Sequence, residues 1–93
     1  MIIVVDEPKR LANLAKHGID QNDVATAFDF SAAIVFPARP SRRTGRSRFL
    51  AVGPMDGQLV TVIFSPLGSE AIGLVSVRPA NRSERESYGQ QFK

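Results

Sequence analysis

Residues 48–78 read RFLAVGPMDGQLVTVIFSPLGSEAIGLVSVR, three runs rich in Val, Ile, Leu and Phe broken at Pro54–Gly57 and at Ser65–Ser69. That is the pattern of consecutive antiparallel strands. Asp56-Gly57 supplies the two positive φ angles of a type I′ hairpin. With the turn there, Met55 faces Gln58, Ala51 faces Val62 and Phe49 faces Phe64. Phe49, Ala51, Val60, Val62 and Phe64 then share one face, and Leu50, Val52, Leu59, Thr61 and Ile63 the other. Both faces are apolar, so helices or a partner must cover both.

Working outward, the chain has 93 residues, enough for one domain spanning 1–93, with a sheet and a few helices. Met1–Val5 reads as an edge or second-layer strand. Asp6 caps a helix with Pro8 near its start and Gly18 as its stop. Leu11, Leu14 and Ala15 form its expected buried stripe, and Lys9, Asn13, Lys16 and His17 a polar row along another side. Asp20 caps a second helix with Asp23 at its third position, burying Val24, Ala27 and Phe28. Ala32–Phe36 is a short strand ended by Pro37. In the last strand, alternation groups Ile72, Leu74, Ser76 and Arg78 on one face. Pro79 ends that strand, and Asn81 caps a final helix through Glu84, Arg85 and Tyr88 to Gly89, with Arg82 and Glu86 as an i,i+4 pair.

There is no cysteine, and the single His has no acids at ligand spacing, so no metal site and no cofactor are expected. No stretch reaches the roughly 18 apolar residues of a membrane span and no leader pattern opens the chain, which reads as soluble and cytoplasmic. Twelve Lys+Arg against nine Asp+Glu give +3, but no acid lies between Asp29 and Asp56. That interval holds Arg39, Arg42, Arg43, Arg46 and Arg48. Guanidinium groups on such a loop suit phosphate, although a solubilising loop or a dock for an acidic partner has the same composition. No glycine-rich phosphate loop or nucleophile elbow is present. The inventory of cations with one His, one Tyr and a few acids suits RNA cleavage by the 2′-OH. His17, Lys16, Glu84 and Tyr88 are candidate proton carriers, and Arg48 and Arg78 candidate charge stabilisers. Arg78 also has an ion-pair partner in Glu84, and Tyr88 is as suited to covering the sheet edge as to stacking on a base.

Asp6-Glu7-Pro8-Lys9, Asn13 and Lys16-His17-Gly18-Ile19 resemble the D-x-x-K-x-x-x-N-x-x-K-H-G-[IV] signature of the BrnT toxin family. Arg48-Phe49-Leu50-Ala51-Val52-Gly53 is similar to the family's R-F-x-A-x-G strand, and Val75–Ala80 with Glu84-Arg85 and Tyr88 to its I-S-A-R-x-A…E-R-x-x-Y ending. The resemblance implies an α+β, RelE-like fold in the order β-α-α-β-β-β-β-α, an antiparallel sheet with two N-terminal helices and one C-terminal helix. It implies a bacterial type II toxin that cleaves mRNA without metal and inhibits translation, held in a hetero-oligomer by a BrnA-like ribbon-helix-helix antitoxin. Lys16, His17, Arg48, Arg78, Glu84 and Tyr88 are the matching candidates for catalysis, and Lys9, Arg39, Arg42, Arg43, Arg46 and Arg82 for RNA binding. Two positions depart: Val5 stands where the family commonly has Trp, and Gly73 where it has a basic residue. They motivate the alternative of a degenerate module that binds antitoxin or RNA without cutting.

Overall fold

In the computed structural model, which describes residues 1–91, five strands form one sheet in the order β1-β5-β4-β3-β2. The strands are β1 (Ile2–Val4), β2 (Ile34–Ala38), β3 (Arg48–Met55), β4 (Gln58–Leu67) and β5 (Ala71–Pro79). Three helices accompany them: α1 (Glu7–His17), α2 (Val24–Ala27) and α3 (Arg82–Gln91). The chain is α+β, as expected, with five strands in one sheet and three helices. The sheet is antiparallel except at β1, which runs parallel to β5.

The β3–β4 hairpin has the register read from its turn, with Phe49 opposite Phe64, Ala51 opposite Val62 and Met55 opposite Gln58. Asp56 (φ 50°) and Gly57 (φ 82°) both take the left-handed conformation that a type I′ turn demands. β4 runs through Ser65 and Pro66 to Leu67, past the expected break. Its pairing with β3 ends at Phe64, so Pro66 is spared a donor role on that side. Pro37 likewise sits inside β2, because β2 is an edge strand.

Face assignment on β5 differs from simple alternation. Val62 pairs with Val77 and Ile63 with Ser76, but Phe64 pairs with Leu74, so Val75 is the extra residue of a bulge. The bulge puts Ile72, Leu74 and Val77 on the core face and turns Gly73, Ser76 and Arg78 to the other. The core joins those three to Ala51, Met55, Val60 and Val62, under Val24 and Phe28. Gly53 allows close packing here, since a Cβ would lie 3.0 Å from both Ala33 Cβ and Phe28 Cζ, a tight contact. On the second face, α3 closes over Val52 and Thr61, both fully buried.

The second helix is shorter than expected. Asp20 accepts from Asn22 N–H and opens a 3-10 turn at Gln21–Asp23, which runs into the four-residue α2. Asp23 makes no capping bond there; Val24 and Phe28 are buried as expected.

α1 begins at the Asp6 cap and stops at Gly18 (φ 70°), but it presents the opposite side to that expected. Leu11 and Leu14 are 53% and 39% exposed, whereas Asn13 is buried. The reason lies in β5, whose pairing with β1 ends at Gly73 and leaves the rest of that edge without a strand. Asn13 Oδ1 accepts from Val77 N–H and Ser76 Oγ, both at 2.8 Å, and its Nδ2 donates to Ile19 O at 2.9 Å. Buried Gln21 donates through Nε2 to Val75 O at 3.3 Å. Two amides thus take the place of a missing strand, as buried backbone groups require partners. Asn13→Ala is expected to destabilise the fold by about 1–3 kcal/mol, seen as a lower urea midpoint; an unchanged midpoint would show that the edge is satisfied otherwise.

Candidate nucleic-acid interface

The second face of the sheet is open at the end away from α3. Arg48, Ser65, Leu67, Gly73 and Val4 line a cleft there of about 490 Å³, with Lys9 and Asp6 from the start of α1 and Ser41, Arg43, Thr44 and Arg46 from the loop before β3. Four cations and one carboxylate face this volume. The carboxylate is already engaged, since Asp6 accepts from Lys9 N–H at 3.2 Å. A second depression of about 180 Å³, lined by Lys9, Ala12, Asn13, Lys16, His17, Val75 and Ser76, shares Lys9 and Val75 with the cleft. The two adjoin at these residues, with Lys9 and Lys16 of α1 along their border.

The arginine loop is ordered by its own backbone. Ser41, 9% exposed, donates from N–H to Arg46 O (2.9 Å), accepts from Gly45 N–H at its carbonyl (2.8 Å), and accepts from Thr44 N–H at Oγ (3.3 Å). Thr44 Oγ1 in turn accepts from Arg46 N–H at 3.2 Å, and Gly45 takes φ 72°. This closed turn brings Arg43 and Arg46 to the cleft and leaves Arg39 and Arg42 exposed outside its lining. Arg48 stands apart from that turn, at the first position of β3. Its Nε is buried and has no protein hydrogen-bond partner, one of two such side-chain atoms among the described residues, the other being Gln21 Oε1.

Arg78, Glu84 and Tyr88 are placed elsewhere. Arg78 opposes Thr61, four residues along β4 from Ser65, or about 13 Å away at the usual strand rise. It forms a bidentate pair with Glu84, Nη1 to Oε1 at 2.7 Å and Nη2 to Oε2 at 2.8 Å. Glu84 also accepts from Thr61 Oγ1 (2.7 Å) and Asn81 N–H (2.9 Å), while Asn81 Oδ1 accepts from Glu84 N–H (2.8 Å), a reciprocal capping box at the start of α3. The Arg78 fork and the other donors hold the Glu84 carboxyl down to about 2 against the desolvation that raises it. Tyr88 donates its hydroxyl to Ala32 O at 2.7 Å, tying α3 to the turn before β2. Arg82 pairs with Glu86 at 3.1 Å on the exposed side of α3, which runs two residues beyond Gly89.

Of the residues proposed from sequence, the groove therefore gathers Lys9, Lys16, His17, Arg43, Arg46 and Arg48. It does not gather Arg39, Arg42, Arg78, Arg82, Glu84 or Tyr88. Sequence reasoning passed over Ser41 and Thr44, for which the Ser-x-x-Thr-Gly spacing of a closed turn was the available signal, and Ser65, which only the strand register locates. Gly73 lines the cleft, and a Cβ there would meet Leu67 Cδ1 at 3.2 Å. Among the described residues no three His, Cys, Asp or Glu side chains come together as a metal site, and no helix is long and apolar enough to cross a membrane.

The chain is thus a small α+β domain with a cluster of arginines and lysines lining a cleft over an open sheet end. Its family is established by comparison: residues 6–84 match the family described as "Ribonuclease toxin, BrnT, of type II toxin-antitoxin system", and the chain belongs to it. Among solved structures, it is similar to the crystal structure of the Brucella abortus ribonuclease toxin BrnT, at 40% identity and a TM-score of 0.70 over 88% of this chain and 99% of that one. No curated protein sequence matches the chain significantly.

Proposed function

We propose that this chain is a RelE-like endoribonuclease that cuts mRNA without a metal ion and so inhibits translation, acting in the cytoplasm and neutralised by a BrnA-type ribbon-helix-helix antitoxin. One observation carries the catalytic part: Lys9, Arg43, Arg46 and Arg48 line one cleft, and the depression lined by Lys16 and His17 adjoins it at Lys9 and Val75. In this reading Arg43, Arg46 and Arg48 hold the phosphodiester and the charge that builds on its oxygens as the ribose 2′-OH attacks phosphorus. The 2′-OH proton leaves, the P–O5′ bond breaks, and the 5′-oxygen takes up a proton. His17, half-buried beside Lys16 at the end of the groove, serves this transfer. Arg78 and Glu84 act from a distance, by fixing α3.

A binding module without turnover is the second reading, favoured by Gly73, which gives the cleft floor no cation. Incubating purified protein with RNA in EDTA separates the two. Cleavage leaving 2′,3′-cyclic phosphate ends, reduced about 10²–10⁴-fold in His17→Ala, is the expected result. Binding without cleavage would favour the module, and cleavage restored only by added Mg²⁺ would overturn metal independence.

A further inference from the structure

We propose that the antitoxin docks on the outer face of α1, through an amphipathic segment with an apolar strip and an acidic border, and that docking there closes the cationic groove. The proposal rests on the ribonuclease-toxin reading. Because Asn13 turns one side of α1 into the sheet edge, Pro8, Leu11, Leu14 and Ala15 are carried to the outside at 100° per residue, with Ala12 on the flank. Leu11 is 53% and Leu14 39% exposed. Single exposed leucines are ordinary, but apolar residues at five neighbouring helical positions make a continuous strip of the kind that binds protein.

The charges beside the strip state what fits it. On the groove side run Lys9 and Lys16, and Ala12 belongs both to the strip and to the lining of the depression. On the other side Arg10 is already neutralised, bonded to Glu7 and to Asp20 at 3.0 Å. The unneutralised border is thus positive and lies toward the groove, so the partner's acids belong there, over the phosphate-binding cations. A second copy of this chain, with its net charge of +3, brings like charge to that border.

Isothermal titration of the purified cognate antitoxin into the unaltered protein and into Leu11→Asp/Leu14→Asp tests this, with RNA cleavage measured in parallel. Both leucines are exposed, so the melting temperature should hold; Leu11→Gln/Leu14→Gln serves as the milder variant. The expected result is a Kd raised at least tenfold, cleavage within twofold of the unaltered protein, and cleavage no longer suppressed by equimolar antitoxin. An unchanged Kd in both variants would overturn the proposal. So would a variant that only converts a dimer of this chain to monomer in sedimentation, since the strip would then serve a second copy. Absence of RNA cleavage by the unaltered protein would strike the ribonuclease reading, and the Kd comparison, which uses no RNA, would still decide the docking.

Discussion

Arg48→Ala is expected to lower kcat/KM for RNA cleavage by about 10²–10³-fold, the usual consequence of removing one preorganised charge or donor at a reacting phosphate. Arg48 sits at the first position of β3 with its Nε buried and unmatched by any protein acceptor. The residue also lines the cleft, where its guanidinium fork can meet a phosphate. Arg43 and Arg46 stand on a loop, whereas Arg48 is held by a strand in a hairpin with a fixed register, so its position is the least adjustable of the three. Arg48→Lys keeps the charge and loses the fork, and should recover only part of the rate. Single-turnover cleavage with saturating protein measures the effect on chemistry apart from binding. Full activity in Arg48→Ala would move the reaction away from this cleft.

Glu84→Ala is expected to act on stability. Glu84 holds Arg78, Thr61 and the Asn81 N–H at once, and its side chain is 10% exposed. Removing it leaves a buried hydroxyl and a partly buried guanidinium without their partner, which costs about 2–4 kcal/mol. The same network sets a pH dependence. The Glu84 carboxyl is lowered from its usual 4.5 to about 2 by the Arg78 fork and the neighbouring donors. A depressed pKa stabilises the folded state above the unfolded pKa, and that contribution disappears as pH falls from about 4.5 toward 2. Its size is on the order of 2–3 kcal/mol. Denaturant melts between pH 6 and pH 2.5 should show the loss in the unaltered protein and a flatter profile in Glu84→Gln. Because Glu84 lies outside the groove, the folded fraction of Glu84→Gln should retain cleavage within about threefold at pH 7. A large loss of turnover in fully folded variant would make Glu84 a proton carrier after all.

The parts of this fold set by neighbouring residues were legible in the sequence. Asp56-Gly57 fixes the hairpin because the turn chemistry is local, and every β3–β4 pair follows from it. Asp6 and Gly18 mark the ends of α1 for the same reason. What depended on distant partners was not legible. The inward side of α1 meets the bare edge of β5, where Asn13 bonds the backbone while Leu11 and Leu14 stay outside. The bulge at Val75 arises from how β5 meets β4, and it alone sends Arg78 to the side of Thr61 and Glu84. The groove followed the same division. The arginine-rich loop and the basic row of α1 were visible as clusters, but which arginines turn inward depends on Ser41 and Gly45 closing the loop.

The central claim, that the RNA backbone lies between the arginine loop and α1, is tested most directly by NMR titration of the labelled protein with a non-cleavable 2′-deoxy oligonucleotide. Resonances of Lys9, Arg43, Arg46 and Arg48 are expected to shift first, followed by Lys16 and His17, while those of Arg78 and Tyr88 stay in place. Shifts centred on Arg78, Glu84 and Tyr88 with the cleft silent would contradict it.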